Sequence, residues 1–157
     1  MSKHTLTRRG LLAAALAAPA AAFLARPQPV MAMEPEVYSD GGVAIRGADP
    51  VAYFTEGAPV IGSEEHSLMW NGTTWRFASA ENMETFMGDP EAYAPQYGGY
   101  CAFAMARGYI ASTVPEAWTI HEGKLYLNYS TGVRAQWEQD IPGNIAAADE
   151  NWPSALG

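Results

Sequence analysis

The amino-acid sequence predicts an α+β fold: a small antiparallel sheet from two β-hairpins, with several short helices packed against it. Three observations carry that expectation. Asn71-Gly72 stands between Leu68-Met69-Trp70 and Thr73-Thr74-Trp75-Arg76-Phe77, and both turn residues tolerate the positive φ that a tight hairpin requires. Glu122-Gly123 stands likewise between Trp118-Thr119-Ile120-His121 and Lys124-Leu125-Tyr126-Leu127-Asn128-Tyr129. Between the hairpins the apolar period becomes helical: Met83, Phe86 and Met87 follow an N-cap at Ser79.

Taken in order, residues 1–32 read as a twin-arginine signal peptide. Thr7-Arg8-Arg9-Gly10-Leu11-Leu12 sets paired arginines before an apolar run from Leu11 to Leu24, too short to span a bilayer comfortably. Val30-Met31-Ala32 offers the small residues of a cleavage site, so a mature chain beginning at Met33 in the periplasm is expected. An uncleaved anchor is the alternative; after cleavage no stable membrane insertion is expected.

Residues 33–42, with Pro35 and Gly41-Gly42, read as a linker, and 43–153 as one domain with a C-terminal hairpin and helices. Val43-Ala44-Ile45 is a short strand, and Asp49-Pro50 caps a helical turn through Phe54. The first hairpin spans His66 to Phe77. A helix from Ala80 closes at Gly88, and Asp89-Pro90 opens another short one, proline costing nothing at a first helical position. Gly98-Gly99 release the chain into a third helix, Tyr100 to Arg107. Past the second hairpin, Val133 to Asp140 is a helix that Pro142-Gly143 stops, and Asn144 to Glu150 is the last. In Lys124–Tyr129 the alternation puts Leu125, Leu127 and Tyr129 on one face.

Charge and composition narrow the functional classes. The chain carries −8 overall; the signal holds four of its nine basic residues and none of its seventeen acidic ones, so the mature chain stands at −12. Nucleic acid and anionic membrane are poor partners for such a surface, and cations are better ones. A single cysteine allows no internal disulfide, so stability rests on packing, for which five tryptophans and eight tyrosines supply large apolar areas.

The hairpin followed by Arg76-Phe77-Ala78-Ser79-Ala80-Glu81-Asn82, and then by Asp89-Pro90-Glu91-Ala92-Tyr93, resembles the YHS-domain family, small modules often associated with metal handling. Its metal-binding members read D-P-V-C, then Y-F-C-S-x-x-C, then D-P-x-x-Y. Asp49-Pro50-Val51-Ala52 matches the first of these, so Ala52, Ala78 and Asn82 hold the positions of the three cysteines. The remainder, through Gly98-Gly99-Tyr100-Cys101 to Trp152-Pro153, resembles exported bacterial members. The resemblance implies the fold and an association with metals.

Cys101 is the first candidate for chemistry, because a thiol near a helix start is biased toward the thiolate. Met105 is one turn on, and thiolate with thioether makes a soft donor pair suited to a copper ion, Cu(I). His121 is a possible third ligand, with His66 its alternative. The expected module therefore binds a metal ion or small ligand through Cys101, Met105 and His121. Tyr97, Cys101 and Met105 at four-residue spacing equally make an ordinary buried stripe. A second reading is a metal-free ligand- or protein-binding module that kept the YHS fold. A third is an enzyme with Cys101 as nucleophile, His121 as base and the Gly98-Gly99 amides as an oxyanion site.

Overall fold

Turn chemistry and strand alternation produce the elements that the sequence marks most strongly. In the structure, a computed structural model that describes residues 32–157, strand β3 (Ser63–Trp70) and strand β4 (Thr73–Phe77) are joined by Asn71 at φ 47° and Gly72 at φ 75°. Thr73, Trp75 and Phe77 of β4 alternate inward. The register jumps between Ser63 and Ser67, so the hairpin carries a bulge and β3 begins earlier than the sequence implies.

The α+β class holds, and the two hairpins stand in separate sheets. Strand β1 (Ser39–Asp40) pairs with β2 (Val43–Ala44), and β2 lies parallel to β4 through Val43 and Thr74. The first sheet therefore runs β1-β2-β4-β3. With β2 on the second edge of β4, that edge is closed to the other hairpin. Strands β5 (Trp118–His121) and β6 (Lys124–Leu127) pair only with each other, around Glu122 at φ 49° and Gly123.

β6 is a wall between two cores. Leu125 and Leu127 enter a first core with Trp75, Phe77, Phe86 and Tyr53, while Tyr126 enters a second with Tyr97, Met105 and Trp137. Tyr129, expected on the Leu125 face, is 55 % exposed because the strand has ended before it.

The helices are short and capped. Helix α1 (Ala52–Thr55) follows Asp49 as expected. In α2 (Ala80–Gly88) Ser79 Oγ accepts the Asn82 amide at 3.1 Å, and in α3 (Pro90–Tyr93) Asp89 accepts that of Ala92. Of the α2 stripe only Phe86 is fully buried; Met87 is 58 % exposed, although it shares the apolar period. Nine residues of helix turn one narrow face inward, and Phe86 fills it against Trp70, Trp75 and Phe77.

Three boundaries differ from expectation. Tyr97 and Gly98 are left-handed, at φ 56° and 62°, within a tight 3-10 turn, so α4 is only Ala102–Met105 and Tyr97 shares no helix with Cys101. Helix α5 (Thr131–Trp137) starts early, on a Ser130 cap. Pro142-Gly143 opens α6 (Ile141–Asn151) instead of stopping a helix. Asp140 caps it through the Gly143 amide at 3.0 Å, and Pro142 sits where a missing N–H costs nothing.

Residues 33–42, expected as a linker, are docked. Val37 is 1 % exposed in the first core. The Glu34 amide donates to Leu156 O and the Tyr38 amide to Gly98 O, while the Tyr100 hydroxyl donates to Pro35 O. Local polarity concealed this, since the partners lie some sixty residues or more away along the chain. The expected signal peptide lies outside the described residues.

Candidate functional site

Ala52, Ala78 and Asn82 come together around one side chain, the Asp49 carboxylate, which is fully buried. Its Oδ1 accepts the amides of Val51 at 2.9 Å and Ala52 at 3.3 Å. Its Oδ2 accepts the Ala78 amide at 2.8 Å and Asn82 Nδ2 at 2.7 Å. Four N–H donors thus converge on the carboxylate, two on each oxygen. The position where the family resemblance would place thiolates is a hydrogen-bonded junction between α1, β4 and α2.

Cys101 lies 1 % exposed at the start of α4. Its thiol donates toward Asn128 Oδ1 at 3.5 Å and accepts the Tyr129 amide at 3.3 Å. Asn128 Oδ1 also accepts the Phe103 amide at 3.1 Å, so the cysteine belongs to a junction that fastens α4 to the end of β6. A helix of four residues aligns few peptide dipoles. An apolar pocket of about 290 Å³ opens beside it, between Phe103, Tyr109 and Val133.

Met105 is one turn along, its amide bonded to Cys101 O, and its side chain is fully buried in the second core. His121 is half-buried at the β5–β6 turn, paired with Lys124. Four residues separate Lys124 from Asn128, roughly 13 Å along a strand, so His121 lies at the far end of the hairpin from the thiol. Neither a three-ligand set nor a Cys101–His121 dyad is assembled. Among the described residues no group of three His, Cys, Asp or Glu side chains is placed to hold a metal ion. The Gly98 and Gly99 carbonyls, as distinct from the amides that an oxyanion site would use, accept from the Tyr38 amide and the Thr113 hydroxyl.

A larger cleft, about 400 Å³, is built from four distant segments. The docked N-terminal segment contributes Glu36, the first hairpin Trp70 and Asn71, the α3 region Glu91 and Tyr97, and the C-terminal end Trp152. Trp70 meets Trp75 at 5.7 Å and Phe86 at 5.5 Å, both edge-on. Trp152 meets Tyr97 at 6.2 Å, and the Tyr97 hydroxyl donates to Asp149 at 2.9 Å. Burial, and then that carboxylate, push the Tyr97 phenol well above its ordinary value, so it stays neutral. Sequence reasoning missed this cleft. Its one local signal was the abundance of tryptophans, which does not say where they meet.

No family model, curated protein or solved structure matches this chain. Among the described residues no helix is long and apolar enough to cross a membrane.

Proposed function

We propose that the chain is an exported, YHS-like binding module of the periplasm that takes its ligand without a thiolate-bound metal. The observation that carries this reading is that Ala52, Ala78 and Asn82, which stand where the resemblance implies thiolates, are gathered by hydrogen bonds about the Asp49 carboxylate. The separation of Cys101 from His121 argues in the same direction, against both a copper site and a cysteine-dependent reaction. The twin arginine and the Val30-Met31-Ala32 site support export, and the strong negative charge supports a partner other than nucleic acid.

Elemental analysis of the protein purified from the periplasm tests the reading, with a Cu(I) competition titration of wild type and Cys101→Ala. The expected result is no stoichiometric metal and the same weak copper affinity in both proteins. Stoichiometric copper that is lost in Cys101→Ala overturns the proposal and restores a metal-handling role. Intact mass of the same preparation reports whether the mature chain begins at Met33.

A further inference from the structure

We propose that the cleft between Trp70, Tyr97 and Trp152 is a site for a small organic cation carrying a poorly hydrated ammonium group, of the trimethylammonium type. This rests on the binding-module reading above and supplies its ligand class.

The charge at the cleft has one sign. Glu36 and Glu91 line it, and neither is in an ion pair among the described residues. None of the basic side chains Arg46, Arg76, Arg107, Lys124 and Arg134 lines it. Asn71 Nδ2 donates to Glu36 Oε2 at 3.1 Å, so the hairpin tip orients this carboxylate at the rim. An anionic ligand is thereby disfavoured, and a cation meets two uncompensated charges.

Aromatic lining selects the kind of cation. Trp70 and Trp152 are half-buried, so part of each indole faces the opening, and both are held against other rings. The π faces carry negative potential and attract a cation that surrenders its water easily, whereas a small metal ion keeps its hydration shell and needs more oxygen ligands than two carboxylates supply. Neither thiol nor imidazole lines the cleft. Tyr97, kept neutral by burial, adds a ring without adding charge.

The backbone is set for this arrangement at a cost. Tyr97 is a non-glycine residue at φ 56°, and Gly98 and Gly99 follow it in the left-handed region. A Cβ on Gly98 would collide with Glu36 O, so only glycine lets the N-terminal segment approach closely enough to bring Glu36 to the rim. Held strain of this kind clusters at binding sites.

The test titrates the mature protein, with chelator present, against choline and tetramethylammonium, followed by tryptophan fluorescence and calorimetry. The control ligand is choline's uncharged isostere, in which a tert-butyl group replaces the trimethylammonium. Saturable choline binding is expected, with the isostere about tenfold weaker or worse. Glu91→Gln, on an exposed helix start, should weaken choline several-fold at an unchanged melting temperature, and added salt should weaken it further. Absence of saturable binding by both cations overturns the proposal. So does equal affinity for the isostere, or unchanged affinity in the Glu36→Gln/Glu91→Gln double variant. A metal-free protein that ignores both cations removes only this inference, whereas stoichiometric copper removes the reading beneath it.

Discussion

Asn82 Nδ2 donates a 2.7 Å hydrogen bond to Asp49 Oδ2, joining α2 to the start of α1 across 33 positions of chain. A carboxylate removed from water is tolerable only when donors replace the water, and here four do. Asp49→Ala leaves those donors without an acceptor and should cost about 3–5 kcal/mol in urea denaturation. Asn82→Ala removes one donor and should cost about 1–2 kcal/mol. Because both act on one carboxylate, the double variant should be less destabilised than the two single costs added together. Additive costs would show that the two side chains act independently.

At the first hairpin, Gly72 at φ 75° has nothing near its missing Cβ, so any substitution cost there is conformational rather than steric. Gly72→Val forces a β-branched residue into the left-handed region and should destabilise by about 1–3 kcal/mol. Glu65→Ala, on the exposed part of β3, should stay within about 0.5 kcal/mol. Equal melting temperatures for Gly72→Val and wild type would contradict the turn geometry.

Cys101→Ala removes the acceptor of the Tyr129 amide and the donor toward Asn128, and leaves a small void. A loss of about 1–3 kcal/mol is expected from thermal unfolding. Cys101→Ser keeps both hydrogen-bonding roles with a shorter reach and should lose less. The serine variant proving the less stable of the two would show that apolar packing, not this junction, is what the cysteine supplies.

What the sequence disclosed was local chemistry. Asn71-Gly72, Glu122-Gly123 and the caps at Ser79 and Asp89 each depend on a few adjacent residues, and each stands where it was expected. Tyr97, Cys101 and Met105 are all buried, as a stripe implies, but they share no helix because left-handed Tyr97 and Gly98 break the period, which side-chain identity does not announce. Pro142 was misread for a related reason. Proline marks a helix boundary, and the Asp140 cap decides which side of it the helix lies on. The cleft was not legible at all. Glu36, Trp70, Glu91 and Trp152 meet only after both sheets and the N-terminal segment are in place.

Alkaline pH should unfold the protein earlier than its acidic surface alone implies. Burial is the leading cause that raises the phenols of Tyr53, Tyr97, Tyr100 and Tyr126 above their ordinary range. A group with a raised folded-state pKa keeps its proton in the native state while the unfolded chain loses it. Stability is therefore complete below about pH 10, the ordinary tyrosine value, and falls as pH rises beyond it. Tyr97→Phe should flatten that fall in denaturation curves measured across the alkaline range. An unchanged slope would place the titrating groups elsewhere.

Gly98 offers the sharpest test of how the N-terminal segment and the cleft depend on each other. Its φ is 62°, its carbonyl accepts the Tyr38 amide at 2.9 Å, and an added Cβ would run into Glu36 O. Gly98→Ala therefore meets two penalties, a left-handed alanine and a backbone collision that no rotamer relieves. The segment around Val37 should move, exposing apolar surface that is now buried in the first core. A loss of about 3 kcal/mol is expected, with faster amide exchange at Tyr38 and at Glu34 than in wild type. Gly57→Ala, at a comparable φ of 64° with open space around it, isolates the conformational part and should cost only about 1 kcal/mol. If the two variants lose equal stability and the exchange at Tyr38 is unchanged, the close approach of residues 36 and 98 is not what holds the segment in place.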